Sequence, residues 1–232
     1  MVSLLSFTEK LIERALLPFS EKIPIFVILL ESDHERRAHV YGHTKRRLPR
    51  CSVVSAIQQD GVKAFFESEK VAVSADLTLS KLACSASHMK VWKKISTSET
   101  PYAIVLEDDV AVLPDFELFA QRLVRKIPQN ADLVHLYVSH NRAHWGRQVA
   151  KTKRAFVSYK PRWGRSAYLL SRRGAEKLLS GFRTIADHGD IQMANMAERG
   201  ELSVFCASKE CVSNLGQLFR GYRGEKFRST VW

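Results

Sequence analysis

Tyr102-Ala103-Ile104-Val105-Leu106-Glu107-Asp108-Asp109-Val110 is the stretch on which the reading of this chain turns. A short apolar run behind Pro101 ends in three consecutive carboxylates, and apolar residues resume at once. A run of that length bounded by a proline reads as a central strand covered on both faces. Three adjacent anions repel one another, so something positive is expected to offset them. Ligands in open α/β sheets sit at the carboxyl ends of strands. Hard divalent cations such as Mg²⁺ or Mn²⁺ prefer carboxylate oxygens and bridge to phosphates. The stretch therefore implies a metal–diphosphate site. The plain alternative is a solvated acidic turn with Asp109 capping the next element, and the buried strand in front of it weighs against that.

The chain has 232 residues, enough for one large domain, and is 45% hydrophobic and 26% charged, an ordinary globular balance. No segment has the length of a membrane-spanning helix or the layout of a signal peptide. Cys51, Cys84, Cys206 and Cys211 show no paired CxxC spacing, so reduced thiols in a cytosolic protein are expected, with neither a zinc site nor a disulfide framework. The formal net charge of +12 implies an anionic partner: nucleic acid, an anionic membrane surface or a phosphorylated substrate. The lack of zinc-finger, RNP-type or helix-turn-helix signatures makes nucleic acid the weaker choice.

Outward from the acidic strand, residues 1–20 read as an amphipathic helix ending near Pro18, docked on the domain by default. Ile23 to Leu30 reads as the first strand, Glu31-Ser32-Asp33-His34 as a polar turn, and a helix opens with Arg36 and Arg37 in its first turns. Helix N-termini attract phosphate and arginines reinforce that, although at least one of the pair is expected to be merely solvated. Cys51 to Ile57 reads as a second strand. Ala64 to Val73 is helical or irregular, and a helix runs from Leu79 through His88 to about Ile95. His88 lies among apolar positions, which favours a satisfied structural histidine over a catalytic one. Phe116 to Ile127 reads as a helix and Asp132 to Val138 as a strand. The basic segment His140 to Lys160 reads as an irregular loop able to close over a diphosphate. Arg165 to Leu170 is a strand, Ser171 caps the helix that follows, and Asp187-His188-Gly189-Asp190 opens another from Ile191. Phe219 to Trp232 has no core pattern and reads as a basic tail. The economical division is a helix over 1–20, one α/β domain over 21–218 and a tail over 219–232.

Three blocks now stand in order: Cys84-Ser85-Ala86-Ser87-His88-Met89-Lys90-Val91-Trp92, Val105-Leu106-Glu107-Asp108-Asp109-Val110, and Ala167-Tyr168-Leu169-Leu170-Ser171-Arg172-Arg173-Gly174-Ala175-Glu176-Lys177-Leu178-Leu179. Together they resemble glycosyltransferase family 25, the bacterial lipooligosaccharide galactosyltransferases related to the collagen galactosyltransferases, over about residues 23 to 200. The resemblance implies a GT-A-like fold with a central, mostly parallel sheet flanked by helices. It also implies a UDP-sugar donor, usually UDP-galactose, a glycan or glycolipid acceptor, and inversion at the anomeric carbon. Glu107, Asp108 and Asp109 match the family's acidic motif that holds Mn²⁺ or Mg²⁺ on the donor diphosphate. Leu30, Glu31, Arg36, Arg37, Glu107, Asp108 and Tyr168 are then the expected donor-binding residues. Asp190 is the best match to the family's Asp after the Gly-Ala-x-Lys-Leu-Leu helix, with Asp187 as competitor. The chain departs from the family pattern at Ser55-Ala56-Ile57-Gln58-Gln59-Asp60-Gly61, where the uridine contact is expected, and at Trp163-Gly164-Arg165-Ser166.

A cation held by Asp109, with Asp108 or Glu107 through water, would offset the charge of the leaving diphosphate. A single carboxylate within reach suffices to take the acceptor proton, and Asp190 is the candidate, then Asp187, unless either merely caps the helix. His188 is read as neither ligand nor base. The expected location is the cytoplasm, with a peripheral place on the inner face of its membrane left open by the charge. Two other classes fit the same residues: a metal-dependent phosphohydrolase or nucleotidyltransferase, and a non-catalytic binder of acidic glycolipid or nucleic acid.

Overall fold

The computed structural model describes residues 23–74, 76–114, 116–137, 148–151, 156–159, 164–207 and 212–215. The strands are β1 (Ile25–Leu29), β2 (Ser52–Ser55), β3 (Ala72–Val73), β4 (Tyr102–Glu107), β5 (Val110–Val112), β6 (Leu133–His135), β7 (Gln148–Lys151), β8 (Phe156–Tyr159), β9 (Ala167–Ser171), β10 (Thr184–Ile185), β11 (Val204–Ala207) and β12 (Val212–Asn214). The helices are α1 (His34–His39), α2 (Lys45–Arg47), α3 (Val62–Glu69), α4 (Leu79–Ser96), α5 (Phe116–Val124), α6 (Arg172–Gly181) and α7 (Gly189–Glu198), and a π-helical turn, Val40–Thr44, joins α1 to α2.

Eight strands form one sheet in the order β2-β1-β4-β9-β6-β11-β8-β7. β1 runs parallel to β2 and β4, and β6 runs parallel to β11. β9 is antiparallel to β4 and to β6, and β8 is antiparallel to β11 and to β7. Only β9 and β8 therefore oppose the common direction. The result is the α/β architecture expected of the sequence: a mostly co-directional sheet with helices on both faces.

β4 shows why its residues form the centre. Ala103 and Val105 point into one core with Trp92, Ile95 and Leu178, while Ile104 and Leu106 point into the other with Val40, Phe116 and Ala120. Alternate side chains leave a strand on opposite faces, so a strand covered on both reads as unbroken apolar sequence. α4 is buried around most of its circumference, from Leu82 through His88 and Trp92 to Ile95. A helix in that position needs no polar face.

Asp132 ties three elements together. Its carboxylate is fully buried and accepts from Arg173 Nε at 2.7 Å, Lys177 Nζ at 2.6 Å and the Ser203 amide at 2.9 Å. The Asp132 carbonyl takes the Ser171 amide at 2.9 Å, and it lies so close to Gly174 that a Cβ there would overlap it. Ser171 caps α6 by accepting from the Gly174 amide at 2.9 Å, as expected.

Some sequence expectations change. His140 to Lys160 was expected to be an irregular loop, but it contains β7 and β8, which pair at the edge of the sheet. Each strand is only four residues long, the lower limit for an alternating pattern, and basic residues flank the pair in the sequence. The helix expected to reach Ile127 ends at Val124, and the strand expected over 132–138 spans only Leu133–His135. Of the loop's basic residues, Lys151 lies in β7, whereas Arg142, Arg147, Lys153 and Arg154 lie outside the described residues, as do the expected helix over 1–20 and the tail over 219–232. Among the described residues no helix is long and apolar enough to cross a membrane, and Cys51, Cys84 and Cys206 are free thiols.

Burial pushes the Asp132 carboxyl up, but Lys177, the Ser203 amide and Arg173 outweigh it and hold it below its ordinary value. A carboxyl depressed by folding adds stability above its unfolded pKa of about 3.9, and that stability is lost as pH falls through the folded value. Asp132→Ala is expected to cost about 1–3 kcal/mol at neutral pH, chiefly by stranding the Ser203 amide; Arg173 and Lys177 reach solvent. Urea denaturation against pH checks this, with the gap to the unaltered chain narrowing below about pH 4.

Candidate active site

The carboxyl ends of β1, β2 and β4 open into a cleft of about 470 Å³. Its wall carries Leu30 and Ser32 after β1, Ala56 to Asp60 after β2, Cys84 and His88 of α4, and Glu107, Asp108 and Asp109 at the end of β4. The adjacency of β2, β1 and β4 makes this convergence, since parallel neighbours deliver their carboxyl ends to one edge.

Asp33 caps α1, accepting from the Glu35 amide at 3.1 Å and the Arg36 amide at 3.0 Å. The cap turns Arg36 inward, where its guanidinium pairs with Asp108 Oδ1 while Asp108 Oδ2 takes the Leu30 amide at 3.0 Å. Burial pulls the Arg36 pKa down, but the charges of Asp108, Asp109 and Asp33 outweigh it and keep the guanidinium ionised. Arg37, one residue on and so about 100° around the helix, is half-exposed, with Nε 3.9 Å from Glu31. Of the two arginines Arg36 alone lines the cleft, and Glu31 and Arg37 stand outside its wall.

Glu107 faces the opposite wall. Its Oε1 lies 3.0 Å from His88 Nε2, His88 Nδ1 is 2.8 Å from the Tyr168 hydroxyl, and Trp92 Nε1 donates to that hydroxyl at 2.7 Å. Burial pushes the Glu107 carboxyl up, yet the His88 hydrogen bond, the Arg165 charge and a bond from Ser166 hold it well below the usual carboxylate range. Tyr168 is fully buried and reaches the cleft only through His88. Arg165 and Ser166 arrive beside Glu107 because β9 runs against β4, so its start meets the end of β4.

Arg165 is a buried cation at the back of the site. Its Nη2 donates to Cys84 Sγ at 3.2 Å, and burial pushes the Cys84 thiol up to about 11, against the pull of Arg165. The guanidinium packs on the backbone of Gly189, where a Cβ would overlap it. Asp190 opens α7 beside it, accepting from the Gly164 amide at 3.2 Å and the Ile191 amide at 3.0 Å. Its charge reaches Arg165, Cys84 and His88. Asp190 lines a small cavity of about 10 Å³ with His135, while neither it nor Asp187 lines the large cleft. Asp187 Oδ1 takes the His188 amide at 2.6 Å.

The residues expected at the donor site are thus brought together at Leu30, Arg36, Glu107, Asp108 and Asp109, with Tyr168 one bond behind. Cys84 and Arg165 were not foreseen as part of it. Arg165 lies 58 positions after Glu107, and no local pattern in the sequence points from one to the other.

With that geometry in hand, the model of glycosyltransferase family 25 (LPS biosynthesis protein) matches residues 22–194. The chain belongs to this family. Among solved structures the glycosyltransferase resembles apo mouse xyloside xylosyltransferase 1, at 12% identity and a TM-score of 0.42 over 82% of this chain and 85% of that one. It also resembles glucosyl-3-phosphoglycerate synthase from Mycobacterium tuberculosis, solved with Mn²⁺, uridine diphosphate and phosphoglyceric acid. There the identity is 11% and the TM-score 0.40, over 84% of this chain and 71% of that one. No curated protein matches the chain.

The Arg36–Asp108 pair is buried on both sides. Arg36→Met should lower the unfolding free energy by roughly 3–5 kcal/mol, because it leaves Asp108 buried and uncompensated. Adding Asp108→Asn should return much of that loss, and denaturant titrations of the two variants measure the difference.

Proposed function

We propose that this family 25 glycosyltransferase moves a hexosyl group, galactose first among the candidates, from a UDP-sugar to a glycan acceptor of the lipopolysaccharide or lipooligosaccharide class, with inversion at the anomeric carbon. One observation carries the reading: Glu107, Asp108 and Asp109 stand with Arg36 on the wall of a cleft of about 470 Å³ at the carboxyl edge of the sheet. Carboxylate oxygens suit a hard divalent cation, and the cleft has the size of a small-ligand site.

Asp109 would hold Mg²⁺ or Mn²⁺, with Glu107 and Asp108 supporting it through water, and the cation would supply charge that offsets the leaving diphosphate. Asp108 has a second task, since its oxygens meet Arg36 and the Leu30 amide. It thereby fixes a guanidinium against the same diphosphate, where a rigid cation stabilises charge without reorganising. Ala56 to Asp60 after β2 shape the part of the cleft in which the nucleoside base is proposed to lie.

In the transfer an acceptor hydroxyl oxygen forms a bond to the anomeric carbon. The bond from that carbon to the diphosphate oxygen breaks, and its electron pair leaves with UDP. The hydroxyl proton passes to a carboxylate, for which Asp190 is proposed and Asp187 is the alternative. Asp190 fits in being held by two backbone amides, which orient a carboxylate.

Thermal-shift measurements with nucleoside diphosphates, each with and without Mn²⁺, test the donor site. UDP is expected to raise the melting temperature only with the metal present, and Asp109→Ala to abolish that rise while remaining folded. A shift given by no nucleotide would overturn the reading. Transfer assays with UDP-sugars test the base: Asp190→Asn should lower turnover by about 10²–10⁴-fold with donor affinity kept. Undiminished turnover would move the role to Asp187. Release of UDP, and not of phosphate or pyrophosphate, separates transfer from phosphohydrolase or nucleotidyltransferase chemistry.

A further inference from the structure

Cys84, His88 and Glu107 each offer one ligand atom within 4.8 Å of the others, a set that suggests a metal centre beside the donor site. The hydrogen bonds around them say otherwise. Trp92 Nε1 can only donate, so the Tyr168 hydroxyl oxygen accepts from it at 2.7 Å. The hydroxyl has one hydrogen, and His88 Nδ1, at 2.8 Å, is its other partner. Nδ1 is then the acceptor, and the single proton of a neutral imidazole stands on Nε2, aimed at Glu107 Oε1 at 3.0 Å. Along these three hydrogen bonds every donor has an acceptor and every acceptor a donor, leaving Nε2 closed to a metal. Cys84 is occupied too, since Arg165 donates to its sulfur.

We infer that Trp92, Tyr168 and His88 form a one-way hydrogen-bond relay that fixes the tautomer of His88 and thereby locks Glu107 in the orientation the donor site uses. His88 and Tyr168 are positioning residues, acting through Glu107. The relay joins the helix α4 to two adjacent strands, β9 for Tyr168 and β4 for Glu107, so all four groups sit on rigid elements and none on a loop. Charge-assisted donation to a carboxylate is about twice as strong as a neutral hydrogen bond, and a ring held from behind gives that bond one direction. Partners behind a ligating group set its orientation, and their loss weakens metal binding by about 10–100-fold.

The inference rests on the donor-site reading above, so the test separates the two. The ring nitrogens of ¹⁵N-histidine-labelled protein report the tautomer directly, and the unaltered chain is expected to carry the His88 proton on Nε2. A proton on Nδ1 would overturn the relay whatever the cleft binds. Binding of Mn²⁺ in the presence of UDP, followed by electron paramagnetic resonance, reports its purpose. Tyr168→Phe and His88→Leu are expected to weaken Mn²⁺ by about 10–100-fold. His88→Gln, whose amide can still donate to Glu107, should recover part of the loss. If all three variants bind Mn²⁺ like the unaltered chain and only melt earlier, the residues are structural and the inference falls. Failure of the unaltered chain to bind Mn²⁺ with UDP would instead overturn the donor-site reading and the purpose given to the relay, while the nitrogen spectra still decide the proton.

Discussion

Three carboxylates at the end of a strand buried on both faces are the demand this structure is built to meet. A charge taken out of water needs compensation of several kcal/mol, and a partner with good geometry supplies it. Each of the first two anions receives its own support from a different side. Asp108 is met from β1 and α1, by the Leu30 amide and Arg36. Glu107 is met from α4 and β9, by His88 and Ser166. The site is anchored to secondary structure on both flanks, with no residue of either support borrowed from the other.

Strand direction makes this possible. Parallel β1 and β2 give the cleft its wall, because their carboxyl ends open beside that of β4. Antiparallel β9 breaks the pattern at the neighbouring position, so the residues just before it, Arg165 and Ser166, meet the end of β4. A parallel strand there would place its amino end at the far edge of the sheet and leave Glu107 facing its neighbours without a cation. The packing of Arg165 on Gly189 extends the same support to the start of α7, where Asp190 stands.

Outside the lining of the cleft, Asp132 shows a similar arrangement. It is fully buried, is held by two cations and a backbone amide, and does not line the cleft. A buried, well-partnered carboxylate is therefore not by itself a sign of function in this fold. Exposure to the cleft and neighbouring anions set Glu107, Asp108 and Asp109 apart.

The sequence by itself determined the elements whose cause is local. The apolar run before Glu107 made a strand, Asp33 and Ser171 made caps, and the length of Leu79–Ser96, unbroken by glycine or proline, made a helix. The acidic triplet and the two blocks on either side of it also carried the family, because both depend on residue identity in order along the chain. β7 and β8 stayed illegible, since each is four residues long, the lower limit at which an alternating pattern can be read. Only the tertiary structure decided which arginine enters the cleft, for Arg36 and Arg37 differ by one step around a helix and are alike as letters. It alone showed that His88, a buried and satisfied histidine as expected, meets Glu107 and Tyr168, and it brought in Arg165. Those contacts cross 19, 80 and 81 positions of sequence, and strand order, a property of the whole sheet, sets which distant residues meet.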